Sequence, residues 1–256
     1  MLRKDSSAFT TRFDGIDALR GLAMVWMTAF HFGFDLNQFG YIRQDFYRDP
    51  VWTWQRTVIL SLFLFCAGMG QAIAVAQGQS WPRFWRRWVE VVGCALLVTA
   101  GSWLMYPQSF IYFGVLHGIA LMLIVARLTT RWGSWLWGLG AVAIAIKYIA
   151  VYAIETGATP LFIDIFNSPQ LNWLGLVTRK PITEDYVPLL PWLGVMWWGV
   201  AAGAWLSRQG GRRFPRRLPT AIVKPLASLG RWSLSYYLLH QPVMIGALMA
   251  LGWFVK

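Results

Sequence analysis

Residues 13–35 read FDGIDALRGLAMVWMTAFHFGFD, and the fold turns on how that stretch is read. Its length suits a membrane-crossing helix, which needs about 20 residues. It also carries far more polar chemistry than such a helix requires. At about 100° per residue, Asp17, Arg20, Met24, Met27, Thr28, His31 and Asp35 fall within roughly 100° of arc. One narrow face thus holds carboxylates, a guanidinium, a hydroxyl and an imidazole, while Leu19, Leu22, Val25, Trp26 and Phe30 occupy the others. Ionisable groups inside a span are costly, so they line a protein interior or a wet cavity and mark function. Asp17 and Arg20, at i and i+3, also read as a structural pair at the membrane edge.

Working outward, the 256 residues are 57% hydrophobic and 13% charged. A soluble domain carries about a quarter charged residues. The apolar residues come in blocks of about 20, the length of a membrane span. The expected fold class is all-α: a polytopic integral membrane helical bundle forming one domain over residues 1–256. Seven transmembrane helices are expected, at about 14–35, 54–77, 88–106, 110–125, 132–154, 186–207 and 228–255. Residues 155–185 read as an external loop or a re-entrant lid. The net charge of +12 is no nucleic-acid signal, because the cations sit in alternate loops. Arg3, Lys4 and Arg12 precede the first span. Arg83, Arg86 and Arg87 follow the second, Arg127 and Arg131 the fourth, and Arg208, Arg212, Arg213, Arg216, Arg217 and Lys224 the sixth. The positive-inside rule then puts the amino terminus in the cytoplasm and the carboxyl terminus outside. The expected location is the bacterial inner membrane. The first span serves as its own insertion signal, since no cleavable leader is visible. Cys66 and Cys94 lie in apolar spans and read as small packed residues.

This topology sets the heights of the polar groups at about 1.5 Å per residue. Arg20 and His31 share a face and lie roughly 16 Å apart, about three turns. His31 and Asp35 fall near the external end, where a carboxylate one turn on can fix the imidazole's tautomer and raise its basicity. That is the base-plus-orienter arrangement of general-base or nucleophilic catalysis. His117 also falls in the external half. His240 falls near mid-membrane and reads first as a hydrogen-bonded core residue. Asp185 heads the sixth span, where an acid also serves as an N-cap.

Five blocks carry a resemblance. They are IDALRGLAMVWMTAFHFGFDLNQFGY (16–41), SLFLFCAGM (61–69), YFGVLHGIAL (112–121), DYVPLLPWLGV (185–195) and LGRWSLSYYLLHQPV (229–243). In this order they resemble bacterial membrane proteins of the heparan-alpha-glucosaminide N-acetyltransferase catalytic-domain family. The R-x10-H spacing of Arg20 and His31 is similar to that of the wider membrane-bound acyltransferases. The resemblance implies an acyltransferase that moves an acetyl or other short acyl group from cytoplasmic acyl-CoA to an external sugar amine or hydroxyl. By that resemblance His31 would be the essential histidine and Arg20 its partner on the donor side; the reading of the residues adds Asp35 and His117 to His31 as catalytic candidates. In the lysosomal enzyme that names the family, the implicated histidine lies just before the second span. Residues 48–54 contain none here, so the role passes to His31 by the wider pattern.

A multiply anionic donor wants cations at the inner face, and Arg20, Arg83, Arg87 and Arg231 are placed there. Asp185, Tyr186 and His240 would bind the acceptor. The expected partners are acyl-CoA, a saccharide and the bilayer, with acetyl-CoA as donor substrate and no metal or nucleic acid; a homodimer is left open. Two other readings compete. A transporter or flippase would use the polar face as a permeation path. A haem carrier would use His31 and His117 as axial ligands.

Overall fold

A computed structural model describes residues 13–157, 160–209 and 219–254. The expectations resting on Arg3, Lys4, Arg12, Arg212, Arg213, Arg216 and Arg217 lie outside those residues. Among the described residues the chain is helical: α1 (Asp14–Gln38), α2 (Pro50–Ala76), α3 (Trp81–Met105), α4 (Val115–Thr129), α5 (Trp135–Gly157), α6 (Pro160–Asn167), α7 (Leu189–Arg208), α8 (Thr220–Arg231) and α9 (Ser233–Phe254). The membrane bundle expected from the sequence is present.

Local sequence sets the ends. Asp14 and Asp17 sit in the first turn of α1, where the helix dipole favours acids. Asp49 caps α2 by accepting from the Val51 N–H at 2.8 Å, and Pro50 occupies the first helical position. After α1 the chain turns at Gly40, whose φ of 80° suits glycine best.

Among the described residues six helices are long and apolar enough to cross a membrane: α2, α3, α4 with its following 3-10 turn, α5, α7 and α9. The 25-residue α1 has the length of a span, but its polar face keeps it out of that set. The expected seventh span, 228–255, is corrected. It divides at Trp232, which ends α8, and α9 begins at Ser233. The amphipathic α8 lies against α1 rather than continuing α9. Its Leu226 packs on Gly21, and its Gly230 sits directly on the Asp17 carbonyl. The fourth span also starts later than expected, at Val115 rather than 110. Residues 110–114 are held extended, because the Ser102 hydroxyl takes the Ile111 N–H at 2.9 Å and the Thr99 hydroxyl donates to the Ile111 carbonyl at 2.7 Å. Phe113 then pairs with Tyr186 in an isolated parallel bridge.

Small residues let the helices close up, as membrane helices require. Gly68, Gly199 and Gly203 bring α2 and α7 backbone to backbone, and Gly140 and Gly194 do the same for α5 and α7. Leu60, Leu64, Met122, Leu136, Val187, Met196 and Val200 fill the core between α2, α4, α5 and α7. The outer faces of α3, α5 and α9 expose Leu96, Leu97, Leu104, Ile149, Val243 and Met249. An apolar surface of that extent suits hydrocarbon rather than water. Within residues 155–185, α6 and a 3-10 turn at Asn172–Leu174 form a short folded segment near the start of α7.

Candidate active site

The polar face of α1 is turned into the protein. Asp17, Met24, Met27 and Asp35 are buried, and Arg20, Thr28 and His31 are half-buried, while Leu22 and Val25 are exposed on the opposite side. The face packs on the α8–α9 limb through a ladder of side-chain contacts. Thr28 Oγ1 lies 2.7 Å from the Tyr236 hydroxyl, His31 Nδ1 lies 2.8 Å from His240 Nε2, and Asp35 Oδ1 accepts from Gln241 Nε2 at 3.3 Å. The numbers rise together, so α1 and α9 run parallel. The two imidazoles lie edge to edge, with centroids 5.1 Å apart and planes 16° apart, as a contact between ring nitrogens requires. The Tyr236 ring is nearly parallel to His240, with centroids 5.9 Å and planes 7° apart.

Two expectations for this end are corrected. Among the described residues Asp35 is not bonded to His31: its Oδ1 is engaged by Gln241, and its buried Oδ2 has no hydrogen-bond partner there. The orienting contact comes instead from His240, which is 8% exposed and bonds the Tyr237 carbonyl through Nδ1 at 2.8 Å. His240 therefore meets the other histidine directly, where the sequence placed it as a separate acceptor contact. His31 Nε2 makes no hydrogen bond among the described residues.

His117 is also placed differently. Its Nδ1 takes the Gly114 N–H at 3.3 Å, closing the first turn of α4, and its Nε2 lies 3.1 Å from Thr99 Oγ1. Both ring nitrogens thus serve local structure, which leaves neither free for catalysis or for an axial ligand role. Asp185 Oδ2 accepts the Val115 N–H at 2.7 Å, so it caps α4 rather than α7. Burial pushes its carboxyl up, and the Val115 N–H opposes that by favouring the ionised form. The Tyr186 hydroxyl donates to the Asn172 carbonyl at 2.5 Å and pins the 3-10 turn. Burial pushes that phenol up, with Tyr112 adding to the shift. Near these groups Lys180 Nζ lies 5.1 Å over the Tyr47 ring. Burial and then Arg56 push its ammonium down, against Asp185 and Glu184.

At the other end of α1, the Asp17–Arg20 pair is present at 3.3 Å. Arg20 also reaches the carbonyls of Gly230 and Cys66 at 3.5 Å, tying α1 to α8 and α2. A cavity of about 480 Å³ opens here, lined among others by Asp17, Arg20, Gly70, Gln77, Gln79 and Arg83. Arg20 and Arg83 both line it. Arg87 and Arg231 are not among its lining residues. Arg87 pairs with Glu90 at 2.5 Å, one turn along α3, and Arg231 with Asp14 at 3.7 Å. The cavity stops short of His31. Met24 and Met27, at 2% and 3% exposure, pack between them with Phe30, Ile59 and Tyr236.

These features define a multi-pass helical membrane protein whose polar chemistry is held inside the bundle, with an arginine-lined cavity and an imidazole pair shared with α9 at different levels along α1. The family described as heparan-alpha-glucosaminide N-acetyltransferase, catalytic, matches residues 12–242, and the chain belongs to it. Membership makes it a membrane acyltransferase, as the sequence blocks implied. No curated protein and no solved structure matches the chain.

Proposed function

We propose that the protein transfers an acetyl or other short acyl group from acyl-CoA to an amine or hydroxyl of a saccharide, with His31 as the reacting imidazole. The observation that carries the reading is the pairing of His31, on the helix that also bears Arg20, with His240 of α9, in a chain of an acyltransferase family. The cavity lined by Arg20 and Arg83 suits the anionic phosphates of the donor. The end bearing His31 suits the acceptor. The positive-inside pattern orients the cavity toward the cytoplasm and His31 toward the outside of a bacterial inner membrane.

In the direct route, the acceptor nitrogen or oxygen attacks the thioester carbonyl while His31 Nε2 takes its proton. The carbon–sulfur bond breaks as the new carbon–nitrogen or carbon–oxygen bond forms. The departing CoA sulfur then takes the proton back from the imidazolium, so His31 is regenerated. In the alternative route His31 Nε2 attacks the thioester carbonyl and the carbon–sulfur bond breaks to release the CoA thiolate; the acceptor then attacks the acyl-imidazole, the nitrogen–acyl bond breaks, and the acceptor's proton passes to the thiolate. Either route requires the acyl end of the donor to pass Met24 and Met27, so that layer opens during turnover.

His31→Ala tests the reading. Acetyl transfer from acetyl-CoA to glucosamine is expected to be lost while the protein stays folded by size exclusion and thermal melting. Full transfer by the folded variant rejects the assignment.

A further inference from the structure

The histidine pair fixes a proton as well as a distance. The Tyr237 carbonyl has lone pairs and no hydrogen, so its 2.8 Å contact with His240 Nδ1 requires the hydrogen on that nitrogen. Neutral His240 then carries a bare lone pair on Nε2. The partner of that lone pair is His31 Nδ1, 2.8 Å away, which supplies the second hydrogen. A neutral His31 with hydrogen on Nδ1 is left with its basic lone pair on Nε2. The order is set by a main-chain carbonyl, through one imidazole, to the other.

We infer that His240 is a positioning residue: it accepts the Nδ1 hydrogen of His31, selects that tautomer, and leaves Nε2 as the basic nitrogen for acyl transfer. The inference rests on the reading of His31 as the reacting imidazole. The geometry around His240 supports the role. Its ring lies nearly coplanar with His31 and nearly parallel to Tyr236, and Tyr236 is itself tethered through its hydroxyl to Thr28. The carboxylate one turn along α1, which would ordinarily orient such a base, is turned to Gln241. A neutral orienter sets the tautomer without placing a net charge beside the ring. Once His31 is protonated at Nε2, its Nδ1–H bond to His240 becomes charge-assisted and strengthens.

The test uses full-length protein in lipid nanodiscs with ¹⁵N-labelled histidine, read by solid-state NMR at a pH where the rings are neutral. With three histidines in the chain, each ring is assignable by single substitution. The expected wild-type result is hydrogen on Nδ1 of both His31 and His240, with both Nε2 atoms bare. Hydrogen on Nε2 of His31 in the wild type overturns the proposal without any variant.

His240→Phe is expected to release His31 to the Nε2–H form that free imidazole prefers. Its kcat for acetyl transfer from acetyl-CoA to glucosamine is expected to fall about 10²-fold, with KM for acetyl-CoA unchanged within about twofold. His240→Gln, whose side-chain oxygen can accept the same hydrogen, is expected to keep the Nδ1–H form and recover most of the rate. A His240→Phe protein that is folded, keeps the His31 tautomer and matches wild-type kcat overturns the positioning role, while loss of transfer in His31→Ala leaves the functional reading standing. Conversely, the expected tautomers alongside full transfer by His31→Ala would leave the pair intact and remove its purpose.

Discussion

Gly230 offers the sharpest test of how the site is held. It lies at the end of α8, directly on the Asp17 carbonyl of α1, with the Gly21 nitrogen 3.0 Å from where a Cβ would stand. Gly230→Ala puts a methyl group into main-chain atoms of α1, which no rotamer change relieves. Ordinary carbon–oxygen contact needs about 3.5 Å, so α8 must move away from α1 by about 1 Å or more. Overpacking of this kind costs about 1–3 kcal/mol of stability. The displacement is transmitted through Trp232 to α9, whose His240 meets His31 at 2.8 Å. A further 1 Å takes that contact past about 3.2 Å, the useful limit of such a bond, and misplacement by about 1 Å can cost about 10²-fold in rate.

The assay is acetyl-CoA consumption with glucosamine as acceptor, beside a thermal melt in the same nanodiscs. Gly93→Ala is the control, because a Cβ there meets nothing within 4 Å. The expected result is a lowered Tm and a loss of kcat in Gly230→Ala, with Gly93→Ala like wild type. Wild-type Tm and kcat in Gly230→Ala would refute the idea that α8 sets the register of the histidine pair.

Three other outcomes are expected. His117→Ala leaves the Gly114 N–H without its partner and is expected to lower stability by about 1–3 kcal/mol while kcat per folded molecule is kept; a large loss of kcat in folded protein would return His117 to the chemistry. Arg83→Met is expected to raise KM for acetyl-CoA, and more so at low salt, with kcat near wild type, whereas Arg87→Met changes neither; equal effects from both would argue against the cavity as the donor site. The Asp185 carboxyl is held above its ordinary value of 3.8, so the folded protein binds that proton more tightly and stability falls as pH rises from about 4 through the folded value. Asp185→Asn is expected to flatten that part of the Tm–pH curve, and an unchanged slope would refute the assignment.

Much of this was legible in one strand of reasoning and little in another. The polar face of residues 13–35, the Asp17–Arg20 pair and the Arg20–Arg83 cluster follow from helical period and from where cations fall between apolar blocks. The histidine pair does not, because 209 residues separate its members and no local period brings them together. Adjacency at i+4 pointed to Asp35, but the side chain found a nearer amide in Gln241 on α9. The break at Trp232 also escapes pattern reading. Residues 228–255 are apolar enough to pass as one span, and it is the fit of Gly230 onto Asp17 that turns α8 aside. His117 looked chemical because it is ionisable and deep, whereas its nitrogens are spent on the extended segment before α4.

The methionines at positions 24 and 27 lie on α1 between the Arg20 cavity and the His31–His240 contact. An open aqueous passage along that helix would let protons and small ions run down the membrane potential, at about 2.3 kcal/mol per charge for each 100 mV. Soft, flexible thioether side chains can part around a slender acyl arm and close behind it. A plug of that kind lets group transfer proceed in an energised bilayer without short-circuiting it.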